Sequence, residues 1–240
     1  MTQADRRDVL RRALGCALLP LLATRAGPVL ATGGELAAII PPTAPMIYRR
    51  MILRELPGGV AVKATRDFAV RFAAADNGFL LSGSQVRAEV QAPAALAAVA
   101  RLEEQRVESG VFPLSLDRHG RIVDGRIRQP DAAVAQAMVA LREHLVQSGP
   151  EGRELSATLP ADGHLLTATL PTDLFAPHDG VVEQREVIAL PWGASGEVQT
   201  RFTATRDPAT RLMRLAMREV LTTLDGQQRR TLEQWELFTA

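Results

Sequence analysis

At 240 residues, with a formal net charge of +1, 46% hydrophobic and 23% charged residues, the chain has the proportions of an ordinary folded domain, which excludes disordered and collagen-like classes. After the first thirty residues no run of about 18 uninterrupted apolar residues occurs, so the body of the chain cannot cross a bilayer as helices and is expected to be water-soluble.

Residues 1–31 read as an export signal. Arg6, Arg7, Arg11 and Arg12 form a basic head, Ala13 to Ala23 an apolar stretch, and small residues follow. The run Asp5-Arg6-Arg7-Asp8-Val9-Leu10-Arg11 resembles the twin-arginine export motif, with Val9 where phenylalanine is usual. That resemblance implies a periplasmic protein. Pro20 would break a first domain helix at this place. Cleavage fits best after Ala31, with Val29 and Ala31 as the compact residues, and Ala26 is the alternative. Cys16 precedes its apolar run, the reverse of a lipoprotein signal. Removing residues 1–31 takes away five arginines and two aspartates, which moves the net charge from +1 to −2. It also takes away the only cysteine, so no disulfide is expected. The remaining arginines are interspersed with acids, and a near-neutral chain of this kind lacks the field that gathers nucleic acid.

Residues 32–45, with Pro41, Pro42 and Pro45, read as an extended leader lying on the surface, ahead of a single domain from 46 to 240. From Val60 to Phe72 the even positions are Val, Val, Ala, Arg66, Phe68, Val70 and Phe72, a period of two that predicts a long half-buried strand. Asp76-Asn77-Gly78 then turns the chain into Phe79 to Gln91, where Val86, Ala88 and Val90 alternate with polar residues. Gly83, between Ser82 and Ser84, reads as a bulge. Pro93 opens, and Gly110 follows, an alanine-rich helix to Glu108. A second hairpin is expected through Leu114, the turn Asp117 to Gly120, and Ile122. Pro130 to Gly149 carries Val134, Met138, Leu141 and Leu145 as one helical stripe. Strands are expected at 155–159, 165–170, 181–190, 196–206 and 228–238, with a loop from Pro171 to Gly180. The segment 208–223 reads as strand or capped helix, and strand is preferred because a meander closing on 228–238 needs a neighbour.

The expected fold is therefore α+β: a large curved antiparallel sheet of about eleven strands, half-barrel-like, with two helices packed on its concave face. In element order this is similar to the half-barrels that carry lipoproteins across the periplasm, a likeness of architecture without a shared motif.

The chemistry is sparse. Four histidines are present and no two are spaced as metal ligands, so no metal is expected. No phosphate loop or dinucleotide fingerprint occurs, so no cofactor is expected. Gly193-Ala194-Ser195-Gly196 lacks the spacing of a nucleophile elbow. The polar candidates are His178 beside Asp179, bounded by Pro177 and Gly180, and Glu233, which shares a strand face with Trp235 and is expected to pair with an arginine. Export, a large sheet and the lack of a catalytic set together lead to a non-catalytic carrier for an apolar or lipid-like molecule. Its wall would be Phe68, Val70, Phe72, Phe112, Trp192 and Phe202. The alternative is a periplasmic structural or interaction protein with a filled core, meeting its partner through the leader and the loop Pro171 to Gly180. A hydrolase using His178 and Asp179 is the third reading. A continuous apolar cavity favours the carrier, a solid interior the interaction protein, and a cleft converging on His178 the enzyme.

Overall fold

The structure is a computed structural model that describes residues 37–56, 59–108, 110–123, 143, 146–147, 170–189, 195–224 and 227–240. Its elements are β1 (Met46–Glu55), β2 (Ala61–Ala75), β3 (Gly78–Gln91), a 3-10 turn (Ala94–Leu96), α1 (Ala97–Gln105), β4 (Leu114–Asp117), β5 (Gly180–Ala189), β6 (Ser195–Arg206), β7 (Met213–Leu224) and β8 (Gln227–Thr239). All eight strands form one antiparallel sheet in the order β4-β3-β2-β1-β8-β7-β6-β5. Two meanders of four strands are thus joined by the pairing of β1 with β8.

This overturns the α+β expectation of about eleven strands beneath two helices. Among the described residues the protein is nearly all sheet, with eight strands, one nine-residue helix described along its whole length and one 3-10 turn. The strand expected through Ile122 is an isolated bridge to Leu116. The Asp117 carboxylate accepts the N–H groups of His119 and Arg121 and closes a tight turn there, with Gly120 at φ +82°, and the hairpin bonds Asp117 N–H to Arg121 O and Val123 N–H to Ser115 O run to the end of the described segment. The strands expected at 155–159 and 165–170 lie outside the described residues apart from Leu170, which is in no strand. The helix expected from Pro130 to Gly149 lies outside them too, apart from Glu143, Val146 and Gln147, which are helical. The ambiguous 208–223 segment is strand from Met213 onward. No helix among the described residues is long and apolar enough to cross a membrane.

Alternation decides what is buried. Met46, Tyr48, Arg50 and Ile52 of β1 point to one face with Val62, Ala64, Arg66, Phe68, Val70 and Phe72 of β2 and with Glu233, Trp235 and Leu237 of β8. In β3 the register shifts once: Asp67 faces Arg87 while Phe68 faces Gln85, which leaves Val86 as the extra, exposed residue of a bulge. The bulge is therefore not at Gly83. Gly83 lies opposite Val70, and a Cβ there would stand 2.9 Å from the Phe112 ring, so glycine is what lets that ring lie on the strand.

The chain must travel from β4 at one edge of the sheet to β5 at the other. The last part of that crossing, residues 170–179, turns into the buried face at Leu174, Phe175 and Pro177, while Thr172, His178 and Asp179 stay exposed. Leu174 and Phe175 are fully buried, Ile122 N–H donates to Thr172 O, and Met213 N–H donates to Phe175 O. The leader joins the same layer, with Ile39 buried, its N–H on Arg118 O, and Ile40 N–H on Thr210 O.

Candidate functional site

The expected ligand wall is brought together only in part. Phe68, Val70, Phe72 and Phe112 belong to one buried cluster with Tyr48 and Phe175. The ring centroids of Tyr48 lie 5.9 Å from Phe68, 5.7 Å from Phe112 and 5.7 Å from Phe175, with Phe72 6.5 Å from Phe175. These rings pack on one another at the tilted and edge-on angles that aromatic quadrupoles prefer. Phe202 is half-buried and packs against the rim of the same cluster at Trp235, 6.5 Å away. Trp192 lies outside the described residues.

His178 and Asp179 do line a cleft, of about 470 Å³, where the leader, the turn after β4, the loop ahead of β5 and the turn between β6 and β7 converge. Its walls mix apolar residues such as Ile39 and Pro208 with the polar His119, Arg206, Asp207 and Arg211. Asp179 accepts the backbone N–H of Arg206 at 2.6 Å and its Nε–H at 3.1 Å, so the carboxylate secures a strand end rather than orienting His178. Asp207 accepts the Thr210 N–H and hydroxyl and the Ala209 N–H. The Thr210 bonds, the backbone one first, hold its carboxyl below the usual carboxylate range. The described lining offers no serine, threonine or cysteine to act as a nucleophile. Among the described residues no group of three or more His, Cys, Asp or Glu is placed to hold a metal ion.

The chemistry that sequence reading missed lies under α1. Arg50 and Arg66 stand directly opposite each other on β1 and β2, and both are buried. Two like charges in that register repel. Glu108 resolves the conflict by lying between them, with Oε1 3.8 Å from Arg50 and Oε2 3.6 Å from Arg66. Glu103 of α1 accepts from Arg66 at 3.0 Å and from Arg106 at 2.9 Å, and Arg66 also donates to the Glu103 carbonyl. Gln85 fixes the connecting segment by accepting Glu108 N–H and donating to Arg106 O. Among the described side chains of Ala94–Gln105 only Leu96 and Glu103 are buried, and Glu103 ties α1 to the sheet through its ion pair with Arg66.

Glu233 completes the set. It is buried and pairs with Arg50 at 3.8 Å and with Arg218, whose Nε lies at 2.7 Å and whose guanidinium also covers the Trp235 ring. The arginine partner expected from sequence is present, and the carboxylate is bound to cations on both sides.

Tyr48 lies where the aromatic cluster meets the charges. Its hydroxyl is buried without a hydrogen-bond partner among the described residues. Burial, reinforced by the carboxylates of Glu108 and Glu233 and opposed by Arg50, pushes the phenol well above its usual value. The folded state therefore holds the neutral phenol in a range where an unfolded tyrosine, with a pKa of about 10, ionises. Stability is full below that pH and falls as pH rises above it toward the folded value. Tyr48→Phe is expected to leave stability at pH 7 unchanged or slightly raised, because it deletes a buried unpaired polar atom, and to blunt the alkaline loss. Tyr48 is the only tyrosine, so tyrosinate absorbance read beside circular dichroism through the alkaline range checks this directly. Titration of the phenol while the fold is intact would refute it.

Compared with known proteins, the chain matches no protein-family model and no curated protein sequence at a significant level.

Proposed function

We propose that the protein is an exported, periplasmic, non-catalytic binding protein that engages its partner at the uncovered end of the sheet. The export half of the reading rests on the basic head, apolar stretch and paired Arg6-Arg7 of the N-terminal segment. The binding half rests on one observation above all: β5 ends the described sheet as a ten-residue edge strand, and every residue from Val181 to Val187 is exposed. Val181, Val182 and Val187 are 52%, 50% and 71% exposed. Backbone donors and acceptors left open along an edge, next to exposed valines, are the ordinary substrate of strand addition. The opposite half of the sheet, packed with rings and roofed by residues 170–179, supports the filled-core alternative over an apolar cavity at Phe68, Phe72 and Phe112.

The lipid-carrier reading keeps one foothold, a cross-strand row on the buried face. Val182 lies opposite Phe202, and Phe202 opposite Arg218. An amphiphile with its chain on the first two and an acidic head toward the third would fit that row. Native mass spectrometry of the protein taken from its own compartment, before and after organic extraction, separates the readings. Added mass that is itself protein supports partner binding. Added mass of a few hundred daltons that extraction removes supports the carrier, and the bare chain alone in both samples overturns both.

A further inference from the structure

The edge of β5, unpaired among the described residues, has a self-complementary order of side chains, and we infer that its occupant is a second copy of this chain, paired antiparallel about a two-fold axis through Gln184. The inference rests on the reading above, that β5 is a binding edge, and names the partner. Val181, Glu183, Arg185 and Val187 share one face of β5 because strand side chains alternate. Two such strands related by a two-fold axis through Gln184 set Val181 against Val187 and Glu183 against Arg185, and each match occurs twice. The other face sets Gln184 against itself and Val182 against Glu186.

Neighbouring registers fail. An axis through Glu183 puts that glutamate against itself, and an axis through Arg185 does the same to the arginine. An axis between two residues is not available, because it would oppose side chains that point to different faces. Like charges directly opposite are destabilising, so one register is selected.

The charges are already organised inside each chain for this pairing. Arg201 of β6 lies 3.5 Å from Glu183, and Glu197 lies 2.9 Å from Arg185. Joining two copies would extend these pairs into the alternating row Arg201, Glu183, Arg185 of the second copy, Glu197 of the second copy, and its symmetry mate. Edges protected against self-association typically carry charges that repel a copy, or proline. Here the signs are spaced to attract a copy, and β5 has no proline. The dimer would be a continuous sheet of sixteen strands, twice the eight of one chain.

Sedimentation of the purified full chain tests this. The wild type is expected to show a concentration-dependent dimer. Glu183→Arg and Arg185→Glu, both at side chains more than half exposed (56% and 65%), are each expected to weaken self-association by about tenfold or more, since two attractive contacts per dimer become repulsive. Mixing these two variants is expected to restore association, because the arginines of one then face the glutamates of the other. Val181→Lys, at a residue whose partner on β6 is Thr203, is expected to weaken the dimer as well. A monomeric wild type overturns the inference, and so does an equal mixture that associates no better than its components. If the purified chain is monomeric while protein of another mass accompanies it from its own compartment, β5 remains a binding edge and only the second copy is lost as its partner.

Discussion

Glu108→Gln is expected to cost about 3 kcal/mol of stability, a large fraction of what a domain of this size possesses. The carboxylate stands between two arginines in direct cross-strand register, Arg50 and Arg66. Neutral glutamine leaves both cations in place on a buried face. Their guanidinium groups cannot give up a proton at any ordinary pH, so the charge has no way to neutralise itself. The chain makes this condition general: it has one lysine, Lys63, among its 28 cationic residues, and all the others are arginine. The measurement is urea unfolding, where the midpoint should fall with the slope unchanged. A loss under about 1 kcal/mol would show that the arginines are served well enough without Glu108, and would remove the case that ion pairs dock α1.

Phe175→Ala is expected to cost about 3–5 kcal/mol, the usual range for emptying a fully buried aromatic site. Phe175 is 0% exposed, its ring faces both Tyr48 and Phe72, and its carbonyl accepts Met213 N–H at the start of β7. A surface loop would tolerate the change almost silently. The variant should also acquire a dry apolar void that takes up benzene or xenon, as apolar cavities do. Near-wild-type stability would place residues 170–179 outside the core and would return Phe68, Phe72 and Phe112 to the role of an open wall.

Some features were legible residue by residue. Alternation from Val60 to Phe72 marked β2 and also put Arg66 in the buried phase, which was a readable sign of an internal cation. Its meaning was hidden because Arg50, Glu103 and Glu108 sit 16, 37 and 42 positions away along the chain, and only strand register and the docking of α1 bring them within a few ångströms. His178 and Asp179 looked like a pair because they are neighbours in sequence. The fold gives Asp179 to Arg206, 27 residues on, so that carboxylate is not spent on orienting the histidine.

Local rules settle what neighbouring residues decide between them. Period-two patterning marks the strands β2, β3 and β6, and Asp76-Asn77-Gly78 marks the turn between β2 and β3. Which strands are neighbours, which of them ends the sheet, and which loop becomes core are decided at long range. The link between β4 and β5 has to cross from one edge of the sheet to the other, and a polar-looking stretch bounded by Pro171 and Gly180 becomes a lid because Leu174 and Phe175 meet rings from β1 and β2 on the way. The same holds for β5: its alternation could be read, but its place at the edge, with Glu183 and Arg185 facing outward beside their partners on β6, follows only from the order in which the eight strands pair.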